Sequence, residues 1–425
     1  MSILELHQLF LSFPKISTDT RKITANCIFF ALKGVNFNGN EYAATALKKG
    51  AKYVVVDHEK YVESDSYILV KDVLKTLQEL ATQHRKHSNA KVIALTGSNG
   101  KTTTKELINA VLSKKYKTIA TQGNLNNHIG VPLTLLSIQP DTEIAVVEMG
   151  ANHRKEIEFL CKIAQPDYGY VTNFGKAHLE GFGGEEGVIK GKSELYTYLL
   201  AHKKAAFLNA DDPIQLEKLG GYINKFGFST EKHQFYKIEF LGAKPFVELK
   251  VEDVPIKSQL IGSYNFTNCA VAVLMGKYLN VALQDIKSAI ETYIPENNRS
   301  QILQKNGHQV ILDAYNANPT SMKAALENFK DLDGENKIVF LGDMFELGVT
   351  AAKEHENIGD LAKQFDFADA YLIGQNFNKI KTSLKTFDSF ENFADYLKNN
   401  PIKTNGNILI KGSRGMALER VLDIL

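Results

Sequence analysis

The chain has 425 residues, of which 44% are hydrophobic and 23% are charged, and its 50 basic and 48 acidic side chains leave a net charge of +2. This length is too great for one hydrophobic core and predicts two or three domains, while the balanced charge argues against a general nucleic-acid-binding or membrane-binding surface. The cysteines Cys27, Cys161 and Cys269 form no C-x-x-C pair, and neither a signal peptide nor a bilayer-spanning apolar run is evident. We therefore expect a protein of a reducing compartment, the cytoplasm.

Residues 1–88 are predicted to form a small α/β domain. Short apolar runs separated by helical periodicity are typical of such a unit. The predicted strands are 28–31, 53–56 and 67–70, and the predicted helices are 41–49 and 73–84. The polar stretch 84–89 is interpreted as a linker to the next domain.

The most specific motif of the chain is a glycine loop between a buried strand, 92–95, and a helix, 106–112. The loop is Thr96-Gly97-Ser98-Asn99-Gly100-Lys101-Thr102-Thr103. Glycines let backbone N–H groups close around phosphate oxygens, and the helix N-terminus adds partial positive charge. Lys101 would reach the terminal phosphates of a nucleotide, and the Thr102 hydroxyl would bind Mg²⁺. Because Leu95 stands where the usual motif has its first glycine, this is a variant phosphate-binding loop.

The rest of a central domain, 89–298, is predicted to form a mostly parallel sheet, because strand-like runs alternate with helical ones. The strands are 144–149, 168–172 and 205–208, the stretch 231–260 suggests an antiparallel appendage, and 262–280 is a long helix.

Three side chains of this central domain could carry chemistry. Ligands of such sheets sit at the carboxyl ends of the strands, where Glu148 could complete a Mg²⁺ shell and His178 could bind a second cation. A solvated loop histidine is the simpler alternative for His178. Lys192 shares a helical face with Val188 and Tyr196, and its residue type alone favours a surface lysine.

The last segment, 299–425, is predicted to be Rossmann-like, with four strands each followed by a helix. The strands are 310–313, 337–341, 370–373 and 407–410, and the helices are 321–330, 352–364, 375–382 and 415–424. Asp313 ends the first strand and could bind the sugar of a nucleotide, although the polar stretch after it is also typical of a turn. Residues 411–414 could bind a carboxylate or phosphate. The alternative is that they form only a basic helix cap.

The phosphate loop, Glu148, His178 and Lys192, in this order, resemble the Mur ligases of bacterial cell-wall synthesis, and the resemblance covers essentially the whole chain. It implies an α/β fold of three domains: a small UDP-binding domain, a central ATP-binding domain like those of phosphate-loop ATPases, and a Rossmann-like C-terminal domain. Four stretches are similar to those of the members that join D-alanyl-D-alanine to UDP-N-acetylmuramoyl-tripeptide. These stretches are 124–132, 313–319, 341–348 and 411–414.

The resemblance also implies a role for individual residues. Lys101, Glu148, His178 and Lys192 would be catalytic, with Thr102, Glu148 and His178 binding Mg²⁺ together with a carbamate that Lys192 forms from CO₂. The phosphate loop would bind ATP with Asn268 and Arg299, which match positions that hold adenine and phosphate, and with Asp313, which matches a ribose contact. Tyr264 stands where the family often has histidine. The implied substrate-binding residues are Asp19, Arg21, Lys33, Gly34, Asn38, Asn40, Asn126, Asn127, Ser413 and Arg414.

The implied activity is ATP-dependent formation of an amide bond through an acyl phosphate, with catalysis by positioning and charge neutralisation. One alternative is the sister ligase that adds the third amino acid, whose usual Asp-Asn-Pro-Arg signature is missing from this sequence. Another is a nucleotide-binding module without ligase activity. Beyond the two substrates we expect no nucleic-acid partner, no membrane insertion and a monomer.

Overall fold

The computed structural model describes residues 1–295, 298–402 and 404–425. Three parallel or mostly parallel β-sheets follow one another along the chain, each flanked by helices. This architecture confirms the predicted α/β class. None of the described helices is long and apolar enough to span a bilayer.

The first sheet has the strand order β1-β2-β5-β6 and is parallel throughout. Its central strands are continuous apolar runs, as expected for strands covered on both faces. The strands are β1 (Ile16–Ser17), β2 (Ile28–Phe30), β5 (Tyr53–Val56) and β6 (Tyr67–Leu69), with a separate hairpin of β3 (Lys33–Gly34) and β4 (Phe37–Asn38). The helices are α1 (Ile3–Ser12), α2 (Ala43–Lys48) and α3 (Val73–His87).

Helix α3 corrects the predicted linker at 84–89. It runs on to His87 because His84 is buried on the same face as Leu77, Leu80 and Ala81. Helix α3 packs on α1 and also on two helices of the central segment. The polar residues up to His87 therefore belong to a helix that packs on both segments. Packing of the apolar face of this helix outweighs the preference of its polar residues for a loop.

The second sheet has seven parallel strands in the order β13-β12-β11-β10-β7-β9-β8. They are β7 (Lys91–Thr96), β8 (Thr118–Ala120), β9 (Ile144–Glu148), β10 (Tyr168–Val171), β11 (Ala205–Asn209), β12 (Lys225–Ser229) and β13 (Tyr236–Lys237). The helices between them are α4 (Lys101–Leu112), α5 (Gly130–Leu136), α6 (Glu156–Ala164), α7 (Leu179–Phe182), α8 (Glu185–Ala201) and α9 (Pro213–Leu219). The helix after the glycine loop thus begins at Lys101, earlier than predicted.

The predicted antiparallel appendage is present as a three-stranded sheet, β14-β15-β16. Its strands are β14 (Glu239–Ala243), β15 (Phe246–Val251) and β16 (Val254–Ile261), followed by α10 (Phe266–Tyr278) and α11 (Leu283–Thr292). Nearly every side chain of α10 is buried, because this helix packs on α4 and under the appendage.

The third sheet has the order β17-β18-β22-β19-β20-β21, in which only β17 is antiparallel to its neighbour. The strands are β17 (Gln301–Lys305), β18 (His308–Asp313), β19 (Ile338–Gly342), β20 (Asp369–Ile373), β21 (Lys385–Phe387) and β22 (Asn407–Lys411). The helices are α12 (Pro319–Asp331), α13 (Ala351–Gln364) and α14 (Phe390–Asn399). The helices predicted at 375–382 and 415–424 are wrong, since only short 3₁₀ turns occur there.

Strand register brings the predicted chemistry to the carboxyl edges of two sheets. In the central sheet Leu95 lies opposite Glu148, and Thr96 lies opposite Val171. In the third sheet Asp313 lies opposite Lys411. The glycine loop, Glu148 and the segment after β10 therefore share one edge, as the crevice rule for open α/β sheets requires.

Candidate active site

A cavity of about 600 Å³ lies between the central sheet and the C-terminal sheet. Its walls come from the glycine loop, from the ends of β9 and β10, from the start of α10 and from the first turn of α12. The predicted site residues that line it are Ser98, Asn99, Gly100, Lys101, Thr102, Thr103, Asn126, Asn127, Glu148, His178, Asn268, Arg299 and Asp313. The structure thus brings together most of the residues predicted to bind nucleotide and metal.

The glycine loop needs its two glycines. Gly97 has φ of 142° and Gly100 has φ of 77°, a region that favours glycine. A Cβ atom on Gly97 would lie 2.0 Å from Thr172 Oγ1, and one on Gly100 would lie 2.7 Å from Asn268 Oδ1. The loop is therefore closed on both sides by side chains from other elements.

The Lys101 ammonium folds back and hydrogen-bonds to backbone carbonyls of its own loop. Its Nζ donates to the carbonyl oxygens of Gly97 at 2.7 Å and Ser98 at 3.3 Å. Burial lowers the pKa of Lys101, and the nearby Glu148 carboxylate opposes that shift. A polyphosphate placed against the loop would offer this ammonium a stronger acceptor than two carbonyls do.

Glu148 is a buried carboxylate at the end of β9. Its Oε2 accepts from Thr102 Oγ1 at 2.8 Å, and its Oε1 accepts from Asn126 Nδ2 at 2.8 Å. Within the described ranges it forms no ion pair, and a buried carboxylate without a cation is costly. The Asn126 amide, which the resemblance implies contacts substrate, lies on the cavity wall and orients Glu148.

A second polar pair connects α4 to α10. Thr104 Oγ1 donates to Asn268 Oδ1 at 2.9 Å, and Asn268 Nδ2 donates to Asn265 Oδ1 at 2.7 Å. Asn268 is thus fixed beside Gly100, where the resemblance puts the adenine end of a nucleotide. Thr104 and Asn265 were not predicted, although a polar residue on a buried helical face is the sequence signal that could have found them.

The segment after β10 joins the glycine loop to the C-terminal sheet. Asn99 O accepts from Thr172 Oγ1 at 2.6 Å and from Asn173 Nδ2 at 3.1 Å. The Asn99 side chain in turn accepts from Asn318 Nδ2 at 2.6 Å. Two sheets that are far apart in sequence therefore meet at one loop residue.

His178 lies in this segment with a left-handed backbone, φ 52°. Its Nδ1 pairs with the Glu346 carboxylate, which comes from the loop after β19. Burial lowers the pKa of His178, Glu346 opposes the shift, and the charges of Lys101 and Lys192 add to it. His178 is thus a partly enclosed histidine at the cavity wall, and the alternative of a solvated loop residue is wrong.

Lys192 is fully buried in α8, so the alternative of a surface lysine is also wrong. Its Nζ donates to Ala151 O at 3.0 Å and lies 4.9 Å from the centre of the Phe182 ring. Burial, with the charge of Lys101, lowers its pKa well below the ordinary value. Lys192 is not on the cavity wall itself.

The C-terminal wall presents a charged pair and a stacked cation. Lys411, which is buried, forms an ion pair with Asp313 Oδ2, and Ser300 N donates to Asp313 Oδ1 at 3.2 Å. The Arg299 guanidinium lies 3.6 Å from the centre of the Tyr315 ring. Lys411 was recognised only as part of a basic run, and its pairing with Asp313 follows from strand register.

Tyr264, where the resemblance departs from the family, also lines the cavity. Its hydroxyl lies 3.0 Å from Ser300 Oγ. The tyrosine thus connects the short 3₁₀ turn before α10 to the start of the C-terminal segment.

The predicted UDP-binding residues lie apart from this cavity, in the first segment. Asp19 and Arg21 form an exposed ion pair, and Lys33 pairs with Asp57 at 2.8 Å. The side chain of Asn40 is buried and is used to hold Asp57, to which it donates at 2.8 Å. Gly34 and Asn38 lie in the β3–β4 hairpin beside them.

Ser413 and Arg414 do not line the cavity either. Ser413 is buried and its hydroxyl accepts from Phe345 N at 3.1 Å, while Arg414 pairs with Glu419 at 2.7 Å. Gly97 is likewise absent from the lining of the cavity. Within the described residues, no group of three or more His, Cys, Asp or Glu side chains forms a ready metal site.

Three family descriptions match the chain in sequence order. Residues 13–96 match the catalytic domain of the Mur ligase family, residues 95–276 match the Mur ligase middle domain, and residues 298–414 match the Mur ligase, glutamate ligase domain.

The chain is similar to enzymes named UDP-N-acetylmuramoyl-tripeptide--D-alanyl-D-alanine ligase. It is 33% identical to that of Bacillus subtilis, over 96% of this chain and 92% of the relative, and 32% identical to that of Escherichia coli, over 99% and 95%. A crystal structure of MurF from Acinetobacter baumannii matches with a TM-score of 0.85 at 33% identity, over 96% of this chain and 92% of that one. The MurF ligase of Thermotoga maritima in complex with ADP matches with a TM-score of 0.84 at 27% identity, over 97% of both chains.

Proposed function

The chain belongs to the Mur ligase family and is an ATP-dependent ligase, and we propose that it joins D-alanyl-D-alanine to UDP-N-acetylmuramoyl-tripeptide. The observation that carries this proposal is the cavity in which the phosphate loop, Glu148 and His178 of one sheet face Asp313 and Arg299 of another. Relatives of almost the full length of the chain bear the name of this reaction.

The chain's own residues support an in-line transfer of the ATP γ-phosphate to the tripeptide carboxylate. Backbone amides of the loop hold the phosphates, and Lys101 is released from its carbonyl acceptors to neutralise them. The carboxylate oxygen forms a bond to phosphorus and ADP leaves, which gives an acyl phosphate. The dipeptide amine then forms the amide bond, loses a proton, and phosphate leaves.

Domain contact supports the exclusion of water from this acyl phosphate. The cavity is walled by two sheets, and Asn99 and Asn318 join them at the nucleotide loop. Holding both reactants in a closed site supplies catalysis by positioning, without a protein nucleophile.

The residues around Glu148 fit a magnesium ion. A carboxylate and a hydroxyl are the oxygen ligands that Mg²⁺ prefers beside phosphate, and Thr102 and Glu148 bring both to one point. When bound, the ion would neutralise charge on the phosphate oxygens. We propose Thr102 and Glu148 as its protein ligands.

The residues around His178 fit a second cation only if Lys192 becomes anionic. Burial lowers the pKa of His178, and the neighbouring Lys101 and Lys192 lower it further. As ammonium groups, these two lysines would repel a cation. Burial lowers the pKa of Lys192 and so favours its neutral amine form, which can attack CO₂, forming an N–C bond and releasing one proton. We therefore propose a carbamate on Lys192, and a ¹³C carbamate signal in protein equilibrated with ¹³CO₂, lost in Lys192→Ala, would be the direct sign of it.

The remaining roles are proposals of the same kind. Residues 1–88 would bind the UDP moiety, 89–298 the ATP and 299–425 the incoming dipeptide, with Asp19, Arg21 and Lys33 exposed enough to meet a ligand. Asn40 would act through Asp57, because its amide group is already engaged. A monomer in the cytoplasm is the proposed working form.

The test is release of phosphate from ATP by the purified protein with each UDP-linked precursor and each acceptor amine. We expect release only when the tripeptide precursor, with either diaminopimelate or lysine as third residue, and D-alanyl-D-alanine are both present. Release with the dipeptide precursor and a single amino acid would instead identify the sister ligase. Acceptor-independent hydrolysis would point to a nucleotide-binding module.

A further inference from the structure

The contact between His178 and Glu346 crosses from the central sheet to the C-terminal sheet. His178 follows β10 and precedes α7, whereas Glu346 lies in the loop that follows β19. Besides the side-chain pair, the backbone amide of Glu180 donates to the carbonyl oxygen of Glu346 at 3.2 Å. Glu346 is therefore held by both its backbone and its side chain against the segment that carries His178.

Stability does not account for this arrangement. The Glu346 side chain is 51% exposed, and ion pairs of that exposure contribute little to folding. Both partners also adopt left-handed backbone conformations, with φ of 52° at His178 and 60° at Glu346, which are unfavourable for residues with a side chain. A strained geometry that adds little stability indicates a positional role.

The loop that presents Glu346 is itself rigidly supported. Met344 N donates to the buried His355 Nε2 at 3.0 Å, and Phe345 N donates to Ser413 Oγ at 3.1 Å. Both acceptors belong to the C-terminal segment. The Glu346 carboxylate thus reaches His178 from a loop that the C-terminal segment holds in place.

A carboxylate at Nδ1 of a histidine has a defined chemical effect. It accepts a hydrogen bond from Nδ1–H and so fixes the tautomer that carries its proton on Nδ1. The lone pair of Nε2 is then free to bind a cation, as in the histidine ligands of many metal sites. In the described part of the chain no other group bonds to the His178 ring.

We propose that Glu346 is a positioning residue that makes His178 competent to bind a cation only when the C-terminal sheet is docked. The proposal rests on the proposed function, because it concerns the cation that His178 would face. It couples the arrival of the C-terminal segment to completion of the site, so an open enzyme would hold ATP without an activated metal site. Glu346 acts through His178 and need not touch substrate.

The chain offers a matched control for this proposal. Lys176 and Glu354 form a second ion pair between the same two segments, at 2.9 Å, two residues before His178. Glu354→Gln weakens the contact between the sheets without touching the histidine. Any effect of Glu346→Ala that arises from looser docking alone should therefore appear in Glu354→Gln as well.

The direct readout is the tautomer of His178 in the ligand-free full-length protein, measured by NMR with ¹⁵N-labelled histidine rings. The signals of His178 are those lost in His178→Gln. We expect Nδ1–H with an unprotonated Nε2 in the wild type, in Glu354→Gln and in Glu346→Gln, whose amide oxygen still accepts. Glu346→Ala should show a mixture of tautomers, and because this side chain is half exposed the substitution opens no cavity.

The second readout is the Mg²⁺ concentration that gives half-maximal phosphate release. Glu346→Ala should raise it by roughly 10- to 100-fold, the usual cost of losing such a partner, and Glu354→Gln by less than about fivefold. A wild-type tautomer in Glu346→Ala, or equal losses in Glu346→Ala and Glu354→Gln, would overturn the proposal. If the wild type makes no ligated product while the tautomers respond as expected, only the proposed function fails, because the NMR measurement uses no substrate.

Discussion

Two hydroxyl groups on one helix allow the proposed metal site and the proposed adenine site to be perturbed separately. Thr102 Oγ1 donates to the Glu148 carboxylate and Thr104 Oγ1 donates to the Asn268 amide, at 2.8 Å and 2.9 Å. Both threonines are buried in the first turn of α4. Valine keeps the β-branched shape and removes only the hydroxyl, so Thr102→Val and Thr104→Val form a matched pair.

The expected magnitudes differ because one acceptor carries charge. A hydrogen bond to a charged group contributes about 1.5–3 kcal/mol and one between neutral groups about 0.5–1.5 kcal/mol. Thr102→Val also removes an oxygen ligand of the proposed ion, an interaction with a charged group. At about 1.4 kcal/mol per factor of ten, this loss should raise the Mg²⁺ concentration for half-maximal turnover by roughly 10- to 100-fold. Thr104→Val should raise the KM for ATP by about 2- to 10-fold and leave the Mg²⁺ requirement unchanged, since Asn268 keeps its bond to Asn265.

The assay is phosphate release with Mg²⁺ titrated at saturating ATP, and then with ATP titrated at saturating Mg²⁺. Circular dichroism melting curves establish that both variants are folded. An increased Mg²⁺ requirement in Thr104→Val, or an unchanged one in Thr102→Val, would refute the assignment of Glu148 and Thr102 to the cation.

Three further outcomes follow from buried charges and histidines. Lys192→Ala should abolish ligation while ATP still binds by calorimetry, and near-normal turnover would count against the carbamate. Burial beside His84 lowers the pKa of His7 to about 4. Between this pKa and the ordinary value of about 6.5, His7 binds a proton in the unfolded chain but not in the folded one. The stability of the fold therefore falls as the pH drops below about 6.5. That loss is about 2 kcal/mol from pH 7 to pH 5, and it should shrink in His7→Phe when urea unfolding is compared at the two pH values. Arg85→Met should destabilise the protein by about 1.5–3 kcal/mol in urea, the contribution of hydrogen bonds to charged groups, because the partly buried Asp167 loses its guanidinium partner and keeps the Lys204 ammonium; a loss below about 0.5 kcal/mol would contradict this.

The phosphate loop and the strand that precedes it could be predicted because their signals are local. All of these signals lie within a dozen consecutive residues: a buried apolar run, a glycine that must adopt positive φ and the start of a helix. The position of Glu148 was predicted for the same reason, since the end of a parallel strand lies at the edge of the sheet where ligands of such sheets bind.

The surroundings of individual side chains were predicted less well. The helical spacing of Lys192 is the same whether α8 turns that face to solvent or to the interior, and only packing of α8 against the central sheet buries it. The polar letters 84–89 suggested a linker for a similar reason, because the histidine that anchors α3 bonds to the carbonyl oxygen of Ile138 in another segment.

The sequence alone determined the α/β class, the nucleotide loop and the family resemblance, because each depends on neighbouring residues or on motifs read in order. Only the tertiary structure decided which distant groups meet: Glu346 with His178, Lys411 with Asp313, and Asn318 with Asn99. Each of these pairs joins residues more than 90 positions apart, and their distances depend on strand order, register and docking of two sheets, which no local pattern specifies.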